Sequence, residues 1–89
     1  MLIIKNFMDI MPLSQRLEKY LIKHRLQKQF TKQEKLFKQN PLHPNLHTEI
    51  MEPKYLKFYS FRLTHKYRVI FIYTGNNRIE IIDINNHYQ

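Results

Sequence analysis

The chain has 89 residues, 43% of them hydrophobic, a formal net charge of +8 and no cysteine. Such a length holds one small core, its apolar content argues against global disorder, and the missing cysteine excludes disulfides and cysteinyl zinc sites. A positive excess of this size, with a pI near 9.9, points to nucleic acid, an acidic protein or an anionic surface, against the bland alternative of simple solubility.

Residues 2–7 read as a short first strand. Pro12 suits the first turn of a helix, where its missing N–H is not needed. Leu13, Leu17, Tyr20 and Leu21 follow at helical spacing, with Arg16, Lys19 and Lys23 on the opposite face. A second helical pattern runs over 26–39, with Leu26, Phe30 and Phe37 as its stripe; Thr31-Lys32-Gln33-Glu34 matches a capping box and offers Thr31 as an alternative start. Asn40-Pro41-Leu42-His43-Pro44 ends the helix, because two prolines impose extended or turn geometry. Residues 46–51 read as a short strand or an ordered loop, and Glu52-Pro53-Lys54 as a turn.

Two runs rich in aromatic and β-branched residues come next, Phe58–Leu63 and Tyr67–Tyr73, joined by Thr64-His65-Lys66. They predict a β-hairpin. If Leu63 pairs with Tyr67, alternation sorts Tyr59, Phe61, Leu63, Tyr67, Val69 and Phe71 onto one face, which must be a core face. Ser60, Arg62, Arg68 and Ile70 fall on the other, with the two arginines opposite each other. Like charges so placed cost about 0.2–1 kcal/mol, so an anion between them or carboxylates from elsewhere in the chain should compensate. After a turn at 74–77, which holds the single glycine, Arg78–Ile84 forms a last strand.

Helices first and consecutive strands second predict one α+β domain over residues 1–89, with the N-terminal helices packed on one face of a small twisted antiparallel sheet. The other face is then expected to be a shallow open groove carrying Arg62 and Arg68. No apolar run approaches membrane-spanning length, and residues 1–5 lack the long apolar region of a signal peptide, so a cytoplasmic protein without a membrane partner is expected.

Arginine suits phosphate because its planar fork stays charged and offers several donors. The alternative is pairing with Glu49 or Glu80. His87-Tyr88 could supply an acid–base group and a stacking ring, or could be a frayed tail. His43 and His47 have metal-ligand spacing, but Pro44 prevents the helix that would align their rings; they read as loop histidines at a groove edge, within reach of phosphate, and no metal or other cofactor is expected. One glycine excludes the glycine-rich phosphate loops.

The segments Asn40-Pro41-Leu42-His43-Pro44-Asn45-Leu46, Tyr59-Ser60-Phe61-Arg62-Leu63, Tyr67-Arg68-Val69-Ile70-Phe71 and Ile81-Ile82-Asp83-Ile84, with the closing His87-Tyr88, resemble the RelE/ParE superfamily of toxins from type II toxin–antitoxin modules. The match spans residues 36–88, and the tail is most similar to YoeB-like mRNA interferases. The resemblance implies a metal-independent endoribonuclease that acts on mRNA, commonly at the ribosome, with an acidic antitoxin as partner. It implies Arg68 as the active-site arginine, His87 as an acid–base residue and, by an ungapped count, Glu49 as general base. Arg62, Tyr88, His47 and Lys57 are the expected substrate-binding residues. The lysines that RelE places before its strand arginine are replaced by Tyr59 and Phe61. ParE relatives poison DNA gyrase without nuclease chemistry, and a degenerate toxin would do neither.

Overall fold

The computed structural model describes residues 7–87. Strand β1 (Asp9–Ile10) is followed by helices α1 (Gln15–Lys23) and α2 (Gln27–Gln39). Strands β2 (Glu49–Ile50), β3 (Tyr59–Arg62), β4 (Arg68–Gly75) and β5 (Arg78–Asn85) complete the order, with short 3₁₀ turns at Pro44–Leu46 and Lys54–Leu56. The first strand expected over 2–7 falls outside the described residues except for Phe7, which is exposed and outside any strand.

Helix α1 starts where a side chain can satisfy its free N–H groups. The Ser14 hydroxyl accepts from the Leu17 N–H at 3.2 Å. Pro12 therefore lies ahead of the cap rather than in the first turn. The helix ends at a tight reversal: Arg25 adopts a left-handed conformation with φ 56°, and the Leu26 N–H reaches back to the Leu21 carbonyl at 2.8 Å. Helix α2 begins at Gln27, not at Thr31. The Thr31 hydroxyl donates to the Gln27 carbonyl one turn earlier, so it sits inside the helix rather than capping it.

Among the described residues the strands form one sheet in the order β1-β5-β4-β3-β2. The hairpin pairs as alternation requires: Tyr59 faces Phe71, Phe61 faces Val69 and Arg62 faces Arg68. The sheet is mixed, because β1 pairs parallel with β5. That corrects the expected all-antiparallel sheet: β1 runs parallel along the outer edge of β5, and the helices that follow it in the chain cover one face.

Both helices pack on that face. Phe37 of α2 stacks on Phe61 at 5.1 Å between ring centres and meets Phe71 edge-on at 5.2 Å. Leu17, Leu21, Leu26 and Phe30 join Leu63, Val69, Ile79, Ile81 and Ile84 around them. Burial of this apolar surface is the main source of stability, at about 25 cal/mol per Å². Where apolar contact ends, hydrogen bonding takes over: buried Gln33 of α2 donates to the Arg62 carbonyl at 2.8 Å, tying the helix to the hairpin end.

The opposite face is not open along its whole length. Ser60, Arg68 and Ile70 are each at most 7% exposed. The segment that runs from Pro44–Leu46 through His47 into β2 closes over Arg68, so the expected shallow groove is occluded at that residue. Among the described residues, no helix is long and apolar enough to cross a membrane.

Candidate functional site

Arg68 is the centre of the far face. Its Nε donates to the Ser60 hydroxyl at 3.0 Å, one strand away, and one terminal nitrogen donates to the His47 carbonyl at 2.6 Å. The same nitrogen lies 3.8 Å from the Glu49 carboxylate. The register explains the geometry: Glu49 faces Ser60 on β3, and Ser60 faces Ile70 on β4. Three strands thus bring a carboxylate, a hydroxyl and a guanidinium onto one face. His47 holds its carbonyl toward Arg68 through a left-handed turn with φ 45°.

Burial pulls the pKa of Arg68 down from its ordinary value; neighbouring Arg62 acts in the same direction and Glu49 opposes both. Arginine still carries its proton in proteins. The site therefore holds a permanent, poorly solvated positive charge facing a half-exposed carboxylate. Arg62, opposite Arg68, adds a second positive charge at the rim. Burial strengthens the field of the Arg68 charge, because little water screens it.

On the other flank of β4, Asn85 pairs with Arg68, and His87 follows two residues later. His87 is exposed; its backbone N–H donates to the Asn85 side-chain oxygen at 3.2 Å. Tyr88 lies outside the described residues. His47 contributes its backbone carbonyl to Arg68, while its side chain is exposed. His43 caps the Pro44–Leu46 turn, its ring nitrogen accepting from the Asn45 N–H at 3.1 Å. Glu80 is exposed and pairs with Ile72, away from the arginines.

Lys57 stands apart from this group. With Leu56, Phe58, Tyr59, Ile72 and Tyr73 it lines a separate cleft of about 480 Å³ at the opposite end of the hairpin. Sequence reasoning did not single out Ser60 as a partner of Arg68, although alternation had put both on one face. The His47 carbonyl could not be found from sequence, because every residue carries a carbonyl.

No protein-family model matches the chain, and no curated protein sequence matches it. Solved structures do. A YoeB/ParE toxin from Agrobacterium tumefaciens superposes with a TM-score of 0.67 at 18% identity, covering 92% of this chain and 99% of that one. A YoeB dimer from Staphylococcus aureus gives 0.67 at 20% identity, covering 96% and 100%. The fold of these toxins is present here. A YoeB–YefM complex from S. aureus gives 0.65 at 21% identity, covering 91% of this chain and 95% of that one. The YoeB-like fold thus spans nearly the whole chain, helices included. Identities this low establish shared architecture, and the chemistry rests on the side chains of this chain.

Proposed function

We propose that this chain is the toxin of a toxin–antitoxin module and that it cleaves mRNA by acid–base chemistry, in the cytoplasm and at the ribosome. The observation that carries the reading is the Arg68–Glu49 pair: a buried fixed cation 3.8 Å from a half-exposed carboxylate, with Arg62 beside them, on a YoeB-like fold.

In this mechanism Glu49 takes the proton from a ribose 2′-OH. The freed oxygen attacks the adjacent phosphorus, and the bond to the 5′ oxygen breaks. Arg68 and Arg62 stabilise the charge that builds on the phosphoryl oxygens, the role that fixed donors perform best in a site with little water. His87 delivers a proton to the leaving 5′ oxygen, and Tyr88 stacks a nucleotide. The products carry a 2′,3′-cyclic phosphate and a 5′-OH. Each proton-transfer group is worth about 10²–10⁴-fold in rate.

The protein partner in this reading is an acidic antitoxin, in line with the complex that YoeB forms with YefM and with the +8 charge here. The test is expression of the chain without its partner. Arg68→Ala and His87→Ala should each relieve growth arrest, and RNA recovered after induction should show new ends bearing cyclic phosphate. Undiminished arrest in both variants would sink the assignment. One observation favours a second reading, a ParE-like poison of gyrase: Arg68 already donates to Ser60 and His47. That reading requires DNA damage without new RNA ends.

A further inference from the structure

Strand β5 contains an interruption whose consequence falls on His87. Phe71 pairs with Ile81 and Ile70 pairs with Asp83, which leaves Ile82 as an extra, unpaired residue. It is a β-bulge. Side chains on a strand alternate, so one inserted residue exchanges the faces of all that follow. Before the bulge, odd-numbered Ile79 and Ile81 enter the core; after it, Ile84 does. Without the extra residue, Asn85 at the end of β5 would continue the series of Ile79 and Ile81 toward the helices. With it, Asn85, the last residue of β5, pairs opposite Arg68 on the far face, and His87 follows two residues beyond the strand end.

The bulge is held by a chain of polar contacts that begins on α1. One terminal nitrogen of Arg16 donates to the Ile82 carbonyl at 3.1 Å, and the other contacts the Asp83 carboxylate at 3.4 Å. The second Asp83 oxygen accepts from the Asn85 side-chain amide at 2.8 Å. The Asn85 oxygen accepts in turn from the His87 backbone N–H at 3.2 Å. Arg16 and Asp83 are substantially exposed, with side-chain exposures of 65% and 42%. Exposed ion pairs contribute little to stability, and the apolar core already holds α1 to the sheet. What these contacts determine is the local path of the chain between Ile82 and His87.

We infer that Arg16, Asp83 and Asn85 are positioning residues that clasp the Ile82 bulge and deliver His87 to the Arg68 face. The inference rests on the reading of His87 as the proton donor, but its first readout does not. In the full-length protein, the ¹⁵N order parameter of His87 should fall to below about 0.6 in Asn85→Ala, with Arg16→Ala in the same direction. A His87 backbone as ordered in both variants as in the unsubstituted protein overturns the clasp.

The second readout is cleavage of mRNA on programmed ribosomes. Asn85→Ala should lower kcat about 10–100-fold with little change in KM, the scale expected when a reacting group is misplaced. In a His87→Ala background the same substitution should have no further effect, whereas a merely structural role would give the full loss there as well. That additive result overturns the inference. If His87→Ala alone retains full cleavage, the assignment of His87 as proton donor fails, while the order-parameter result still decides the clasp.

Discussion

Arg68→Lys separates the charge at the site from the fork that carries it. The guanidinium satisfies Ser60 through Nε at 3.0 Å and the His47 carbonyl through a terminal nitrogen at 2.6 Å. An ammonium has three donors but on a single nitrogen, so it cannot stand at both the Nε and the terminal-nitrogen positions that these two acceptors face. The loss is therefore about one hydrogen bond from a charged donor, or about 1.5–3 kcal/mol, because Ser60 is fully buried and has no solvent to turn to. A domain of this length is stable by about 4–13 kcal/mol at 0.05–0.15 kcal/mol per residue, so the variant should remain folded at 25 °C. At about 4–8 °C per kcal/mol, a loss near 2 kcal/mol lowers Tm by about 8–16 °C. The assay is thermal unfolding of four proteins: the parent, Arg68→Lys, Ser60→Ala and the double variant. The two sites should couple by about 1 kcal/mol or more, since either substitution removes the bond from the Arg68 Nε to the Ser60 hydroxyl. Growth arrest by Arg68→Lys at 25 °C should be lost although the fold persists, because one ammonium cannot cradle two phosphoryl oxygens as the fork does. Additive unfolding energies, or a Tm within about 3 °C of the parent for Arg68→Lys, would refute the claim that the fork organises the far face.

Other expectations follow from the same geometry. Glu49→Gln keeps the shape of the site and removes the base, so growth arrest should disappear while thermal stability changes by less than about 1 kcal/mol, the scale of a half-exposed ion pair. Phe37→Ala removes a fully buried ring from between Phe61 and Phe71 and should cost about 3–5 kcal/mol, measured by urea titration. Arg25→Gly should raise stability by about 0.5–1 kcal/mol, because glycine adopts the left-handed conformation at φ 56° without the Cβ clash. Tyr20 and Tyr73 have raised pKa values, burial being the leading cause in both. The neutral phenols are therefore favoured by folding. The stability they supply is fully present below pH about 10, the unfolded value, and is lost as pH rises through the higher folded values. The fall in Tm between pH 9 and pH 11 should shrink in Tyr20→Phe with Tyr73→Phe.

The hairpin was readable in advance because its information is local. A three-residue polar loop sets the register, and period-two alternation then assigns each side chain to a face. Phe61, Val69 and Phe71 went to the core for that reason, and Arg62 met Arg68. The helices were readable from their apolar stripes, although the Ser14 hydroxyl rather than Pro12 defined where α1 begins. The last strand was more ambiguous. Ile79, Ile81, Ile82 and Ile84 do not fit one alternation, and that mismatch is the trace of the bulge at Ile82. Which isoleucine is the extra one depends on the partner strand.

Composition and pattern by themselves determined a small basic α+β domain, its hairpin, and a pair of arginines that could not belong to the core. Tertiary structure decided the rest. It joined β1 in parallel to β5 across nearly 70 residues of sequence, and it laid the His47 carbonyl and the Glu49 carboxylate against Arg68. It also used Arg16, in the first helix, to hold the carbonyl of a bulge in the last strand. Alternation and helical period act between near neighbours and leave a mark in the sequence. Contacts between distant segments, above all those made by backbone carbonyls, leave none until the chain has packed.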